Sequence, residues 1–468
     1  MHKEARMKSL LKVLLSINTA LLLCACVDTG IDGAVTLGGK IDGGTDSHIV
    51  ILKQPETLPA FYGETPLVVD TITTDAKGLF LTGSVYDSGM YLFDYQNISF
   101  PLYLLPEKTL NINIDVNDPE NTLEFSGALK HPNRLIRDQN KKAGQIAHEL
   151  QNRDFKTDDQ FMRFIDSSRK SLDTLVVRFI TNHPRTNKSF MQDRQQFNYY
   201  FTGNLILSRA SQLKQNGDTL SSHLQAALES FALNRDELIQ HAEYLKFARR
   251  KLEFHLESDR PEHLTQAIDS LMPGIKTKSA IALKYARNII IESDSMPGAQ
   301  IINAFNGVIT DAEIRNTFNG MLEQAASISP GTSFSGFSGM DETESVRSTD
   351  EFRGSPLLLY FGTALCPQCR YEFEQLQTLP EQAGDTTLQL LGIGLKTGFT
   401  EWKKHIERAN YPGTQLYLNQ NANEVYRKFM ITDEPHYMLI SADGRILSRN
   451  LTGDLPKKVK ALLAEKPL

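Results

Sequence analysis

Two cysteines three residues apart, Cys366 and Cys369, are the side chains of this sequence best suited to chemistry. They bracket Pro367 and Gln368, follow the apolar run Leu357-Leu358-Leu359-Tyr360-Phe361, and open a helix-like stretch from Arg370 to Leu379. On a helix, an i, i+3 spacing puts both sulfurs on one face, close enough to bond to each other. The first sits where free backbone N–H groups and the positive end of the helix dipole favour a thiolate. Pro367 suits a first helical position, where no N–H is required. Such a pair reads as a redox dithiol, with no cofactor and no metal. A structural disulfide and a metal site are the competing uses. A bridge closing four residues restricts the unfolded chain by only about 2 kcal/mol, little for a body this long. Zinc needs two further ligands, and no nearby Cys-x-x-Cys or His pair supplies them.

The remaining elements must carry and place that pair. At 468 residues the chain is long for one domain, and two to four are expected. Charged residues at 23% and hydrophobics at 40% describe an ordinary globular body. The net charge of -6, with no basic patch interleaved with aromatics, argues against nucleic acid as a partner. Residues 1–25 read as a signal: Lys3, Arg6, Lys8 and Lys12 precede an apolar run, Val13 to Leu23, too short to span a bilayer. That run ends in Leu23-Cys24-Ala25-Cys26.

From 35 to 130 the chain reads as short strands, eight between Thr36 and Phe125, separated by turns such as Asp42-Gly43-Gly44 and Asn117-Asp118-Pro119. That spacing predicts a β-sandwich or barrel. Asn111-Ile112-Asn113-Ile114-Asp115-Val116 alternates, so one face should meet a core and the other water. His131-Pro132-Asn133 breaks the pattern, and helical periodicity dominates residues 131–328. Its clearest stripe is Phe161, Phe164, Ile165, Ser168, Leu172, Leu175, Val176 and Phe179. Further helices are expected over 193–213, 235–256, 261–271, 279–291 and 311–326. The aromatic run Phe197 to Phe201 reads as helix packing rather than a pocket lining. Arg249-Arg250-Lys251 reads as a solvated face, and His241, His255 and His263 as surface or capping residues. Ser327 to Gly339 has linker composition. Strands and helices then alternate to the end of the chain, with Ala442-Asp443-Gly444 as a hairpin turn. The fold class is thus multidomain: an N-terminal all-β sandwich-like domain, a central all-α region and a C-terminal α/β domain.

Three resemblances add to this reading. Leu23-Cys24-Ala25-Cys26 resembles the bacterial lipobox, which implies cleavage before Cys26 and lipidation of Cys26. Gly39-Lys40-Ile41-Asp42-Gly43, Lys77-Gly78-Leu79-Phe80 and Phe125-Ser126-Gly127 resemble the β-rich N-terminal domain of many Gram-negative thioredoxin-like lipoproteins. The segment from about Pro330 to Leu468 is similar to TlpA/ResA-type thiol–disulfide oxidoreductases. It shares Cys366-Pro367-Gln368-Cys369, Arg370-Tyr371-Glu372-Phe373, Ile431 to Pro435, Tyr437 to Ile440 and Asp443-Gly444.

The last resemblance implies a thioredoxin-like fold over 329–468, a Cys366–Cys369 redox disulfide, and Pro435 as a cis-proline offering backbone to an extended substrate. It implies Glu372 as a proton-handling group. Glu434, beside Pro435, is a carboxylate that disfavours a thiolate and so favours reduction over oxidation. The chain departs from the family at Gly362-Thr363-Ala364-Leu365, where Trp-Ala-x-Trp is usual, and at Tyr360, where thioredoxins often carry a buried acid. His436 stands where the family favours threonine, and is a further candidate for a proton role. Together these describe a lipid-anchored disulfide reductase of a Gram-negative envelope, in the outer membrane facing the periplasm. Its partners would be a disulfide-containing envelope protein and a membrane thiol donor. A partner-binding lipoprotein and a peroxiredoxin-like peroxidase, the latter on Thr363 three residues before Cys366, are the alternatives.

Overall fold

The computed structural model describes residues 34–464 apart from 45–47, 54–66, 97, 257, 259, 295, 363–365, 395–398, 410 and 419–421. The candidate signal and Cys26 fall outside the described residues. The chain forms two compact units. One draws on 34–53, 68–152 and 174–184, the other on 153–173 and 185–464.

The first unit is a β-sandwich. One sheet orders its strands β4 (Leu79–Val85), β1 (Ala34–Asp42), β7 (Thr109–Asp115), β8 (Glu124–Ser126). The other runs β3 (Leu67–Thr73), β2 (His48–Lys53), β5 (Gly89–Tyr95), β6 (Ile98–Leu104). Leu37 and Ile112 from one sheet share a core with Ile51 and Phe93 from the other. The alternation on β7 holds: Leu110, Ile112 and Ile114 are buried. Gly39 is needed where β1 runs beside β7, since a Cβ there would meet the Ile112 carbonyl oxygen at 1.8 Å. β6 begins before the expected Leu102 because it is an edge strand, where the missing N–H of Pro101 removes no ladder bond. His131-Pro132-Asn133 does end the strands, as the first turn of helix α1 (Lys130–Asn152). Asn133 is fully buried and bonds both backbone groups of Tyr103 on β6, at 2.8 and 3.0 Å.

Helix α2 (Asp158–Asn182), which carries the predicted apolar stripe, spans residues of both units. In the second unit come α3 (Lys188–Gln215), α4 (Ser222–Glu229), α5 (Ala242–His255), α6 (Pro261–Leu271), α7 (Ile275–Glu292), α8 (Ala299–Val308) and α9 (Ala312–Ser327). The aromatic run on α3 is packing: Tyr200 is fully buried against Tyr244, ring centroids 5.0 Å apart. The helix expected over 235–256 divides into a 3-10 turn, Asp236–Leu238, and α5. His241 caps α5, accepting from the Tyr244 N–H, and it is buried rather than on the surface. Arg249-Arg250-Lys251 is not a free solvated face either. Arg250 donates to the Asn204 carbonyl and Lys251 to that of Leu228. Helices α1, α4 and α8 were not among the expected ones.

The remainder of this unit is a seven-stranded sheet, β10 (Val346–Ser348), β9 (Ser338–Met340), β13 (Thr414–Tyr417), β12 (Gln389–Gly394), β11 (Leu357–Gly362), β14 (His436–Ile440), β15 (Ile446–Ser448). Strands β11, β12 and β13 are parallel; β14 and β15 close the edge antiparallel. All six residues of β11 are buried, which explains its unbroken apolar run. Leu359 and Phe361 enter one core, while Leu358 and Tyr360 enter the other. Helices α10 (Pro367–Gln375), α11 (Leu379–Ala383), α12 (Phe399–Ala409), α13 (Ala422–Lys428) and α14 (Leu455–Ala464) complete it. The architecture is therefore an N-terminal β-sandwich, a helical middle and a C-terminal α/β domain.

Candidate redox site

Strand β11 delivers the chain to the mouth of α10, and Cys366 is the residue that caps that helix. Its sulfur lies 3.0 Å from the Cys369 backbone N–H, one of the amides a helix leaves unpaired at its start. Pro367 occupies the first turn. Cys366 and Cys369 are joined in a disulfide, with Cα atoms 5.3 Å apart. The two sulfurs differ in access: Cys366 is half-buried, and Cys369 has no exposed surface. The outer sulfur is thus the one an incoming disulfide can reach.

Gly362, the last residue of β11, makes room for the inner one. A Cβ there would stand 2.6 Å from Phe373 and 3.0 Å from the Cys369 sulfur. Sequence reasoning counted Gly362 only as part of a departure from the family pattern. A buried glycine at the end of a core strand, four residues before the first cysteine, is the signal that marks it. Phe373 in turn packs edge-on against Tyr360, centroids 4.6 Å apart.

The Glu434–Pro435 peptide is cis, and the Glu434 carbonyl oxygen lies 3.8 Å from the Cys366 sulfur. Anything bonded to Cys366 therefore sits beside the Glu434–Pro435 backbone. The Glu434 carboxylate accepts a 2.7 Å bond from the Tyr426 hydroxyl. Burial, then the Glu434 charge and hydrogen bond, hold the Tyr426 phenol well above its usual range. Tyr426 had no role in the sequence reading.

Glu372 lies on α10, one turn past Cys369. One of its oxygens accepts from the Tyr437 hydroxyl and the other from Gln368 Nε2, each at 2.7 Å. It is a half-buried carboxylate held by two donors rather than a free surface acid. Burial and the Glu372 carboxylate together push the Tyr437 phenol far up, so it donates at any physiological pH. Tyr360, which stands in place of a buried acid, donates to the Pro412 carbonyl at 2.6 Å.

His436 does not offer a proton-transfer group at neutral pH. Burial lowers its pKa to about 4, and its Nε2 lies 2.9 Å from the Arg449 carbonyl, which only accepts. The neutral ring therefore carries its hydrogen on Nε2. Thr363, on which the peroxidase alternative rests, lies outside the described residues. Among the described residues, no three His, Cys, Asp or Glu side chains gather where a metal could be held.

A fold of this topology with a Cys-x-x-Cys disulfide at a helix N-terminus is thioredoxin-like. A family model described as thioredoxin-like matches residues 354–446. Among solved structures, the chain is similar to the thioredoxin domain of a thiol-disulfide oxidoreductase from Bacteroides vulgatus, at 26% identity and TM-score 0.27, covering 29% of this chain and 99% of that one. A thiol:disulfide interchange protein from Bacteroides sp. matches at 26% identity and TM-score 0.28, over 30% and 95%. A secreted Mycobacterium tuberculosis disulfide oxidoreductase matches at 18% identity and TM-score 0.23, over 27% and 94%. No functionally curated protein matches the chain.

Proposed function

We propose that this chain is a thiol–disulfide oxidoreductase that reduces disulfides in client proteins of a Gram-negative cell envelope, anchored by lipid on Cys26 in the outer membrane, facing the periplasm. The observation that carries the reading is the unequal exposure of a bonded pair: Cys366 half-open at the helix mouth, Cys369 sealed beneath it. In the reduced protein, the Cys366 thiolate attacks one sulfur of the client disulfide. A mixed disulfide forms and the other client sulfur leaves as a thiolate, taking a proton from solvent. The Cys369 thiol, losing its proton to Glu372 or to water, then attacks the Cys366 sulfur. The Cys366–Cys369 disulfide is restored, the second client thiolate leaves, and two electrons have passed to the client. A membrane dithiol donor returns two electrons to the pair before the next cycle.

Insulin reduction followed by turbidity, with dithiothreitol as the electron source, tests this reading. The wild type should accelerate precipitation severalfold over dithiothreitol alone, and Cys366→Ser should not. Equal rates for the two proteins would sink it and favour the partner-binding alternative. Metabolic labelling with palmitate of the wild type and Cys26→Ser tests the anchor. Label retained in the variant would remove the anchor from the proposal.

A further inference from the structure

A buried cation joins the helical region to the redox domain. Arg449, just past β15, is only 3% exposed. Its guanidinium donates to the carbonyls of Ile290 and Ser293, which end α7, the latter from Nε at 2.9 Å. Nη1 reaches the carbonyl of Ala325 in the last turn of α9 at 3.5 Å. These carbonyls lie at the C-terminal ends of two helices, where the partial charge is negative, and that of Ala325 also accepts from the Ile328 N–H and the Ser329 hydroxyl. A planar fork spreads five donors in fixed directions and reaches acceptors on two helices, whereas an ammonium has three donors on a single atom. The joint is reinforced from the other direction. The Asp294 carboxylate accepts from the Arg449 backbone N–H at 2.7 Å, and Asn450 Nδ2 donates to the Ile291 carbonyl at 3.2 Å.

The far side of the same residue faces the site. The Arg449 carbonyl is the acceptor for His436 Nε2, and His436 directly follows Pro435. A second tie flanks the loop from its other end: Gln324 of α9 donates to the carbonyl of Lys428, the last residue of α13, at 2.6 Å. The segment that presents its backbone to Cys366 is therefore pinned before and after by helices α7 and α9.

We infer that Arg449 and His436 are positioning residues for the disulfide client, and that the helical region is the buttress that holds the Glu434–Pro435 backbone against Cys366. The inference rests on the oxidoreductase reading and deepens it: the helices set how an extended client is gripped, not how the dithiol reacts. A small disulfide needs only the Cys366 sulfur, whereas a peptide disulfide must also lie along the Glu434–Pro435 backbone. Loosening the buttress should separate the two.

The experiment compares Arg449→Lys with the wild-type full chain on hydroxyethyl disulfide and on a disulfide-bonded peptide. The expected result is a KM for the peptide raised about tenfold, with its kcat and the rate on hydroxyethyl disulfide both within twofold. His436→Phe, which keeps an aromatic ring and removes the Nε2 donor, should show the same split. A proportional loss on both substrates, no change on either, or failure of both variants to fold would overturn the inference and leave Arg449 a stability residue. Amide exchange of the 434–438 peptide supplies a readout independent of turnover. It should quicken at least tenfold in Arg449→Lys, and unchanged exchange would also overturn the inference. Wild type inactive on both disulfides would instead strike the oxidoreductase reading, with the exchange result still deciding the buttress.

Discussion

Tyr437 on strand β14 donates a 2.7 Å hydrogen bond to the Glu372 carboxylate on the dithiol helix. The contact ties the helix that carries both cysteines to the strand that follows Pro435. It also fixes the one acid on the cysteine-bearing face of α10 that the sequence proposed for proton transfer. Removing the charge while keeping the shape, as Glu372→Gln, should slow the resolving step by about 100-fold, the lower end of the usual range for a positioned acid–base group. Tyr437→Phe removes one of the two donors that hold the carboxylate and should have a smaller effect. Single-turnover kinetics of mixed-disulfide decay measure both. A Glu372→Gln rate equal to wild type would mean that water alone takes the Cys369 proton.

The two thiols should differ in reactivity once reduced. Cys369 has no exposed surface, so brief treatment with iodoacetamide should modify Cys366 at least about tenfold faster, as accessible thiolates react and sealed thiols do not. Peptide mass spectrometry reads the ratio directly. In Cys369→Ser the mixed disulfide with a client should persist, since nothing remains to displace it.

Gly362→Ala should destabilise the oxidised protein by roughly 1–3 kcal/mol, the common range for overpacking a closed core. The added methyl would press on Phe373 and on the Cys369 sulfur. Phe373 is buried against Tyr360, Tyr411 and Tyr437, so its ring has little space to yield. Urea unfolding of the oxidised form gives the comparison, and an unchanged midpoint would show that α10 shifts outward without penalty.

His436 predicts an acid limb in stability. Its folded pKa, lowered by burial to about 4 from 6.5, lies below the unfolded value. The unfolded chain therefore binds the proton first, and stability is lost as pH falls from 6.5 toward 4, with no further loss from this group below that. The full window is worth about 3 kcal/mol. His436→Phe should flatten that part of the stability–pH curve. An unaltered slope would assign the acid limb to other groups.

Much of this site was readable from residue order because its logic is local. Cys-x-x-Cys, a proline at the first helical position and an apolar run before it define a dithiol at a helix mouth without reference to anything distant. Strand and helix positions in the C-terminal domain were legible for the same reason: β11 is apolar throughout because both its faces are covered. Helix 235–256 was misjudged because the apolar period continues through a capped break at His241. Arg249-Arg250-Lys251 misled because a run of cations does not announce that its members reach carbonyls of α3 and α4.

The order of strands and helices around the dithiol, the cysteine pair and the neighbours of Pro435 follow from the sequence by itself, since each depends on spacing along one strand or helix. Only the tertiary structure decided which sulfur is sealed, that Gly362 is the space for it, and that Tyr426 and Tyr437 hold the two acids beside the dithiol. It alone joined Arg449 to the ends of α7 and α9, more than a hundred residues earlier in the chain. Buried carbonyls must find donors wherever packing brings them, and no periodicity records which distant side chain will answer.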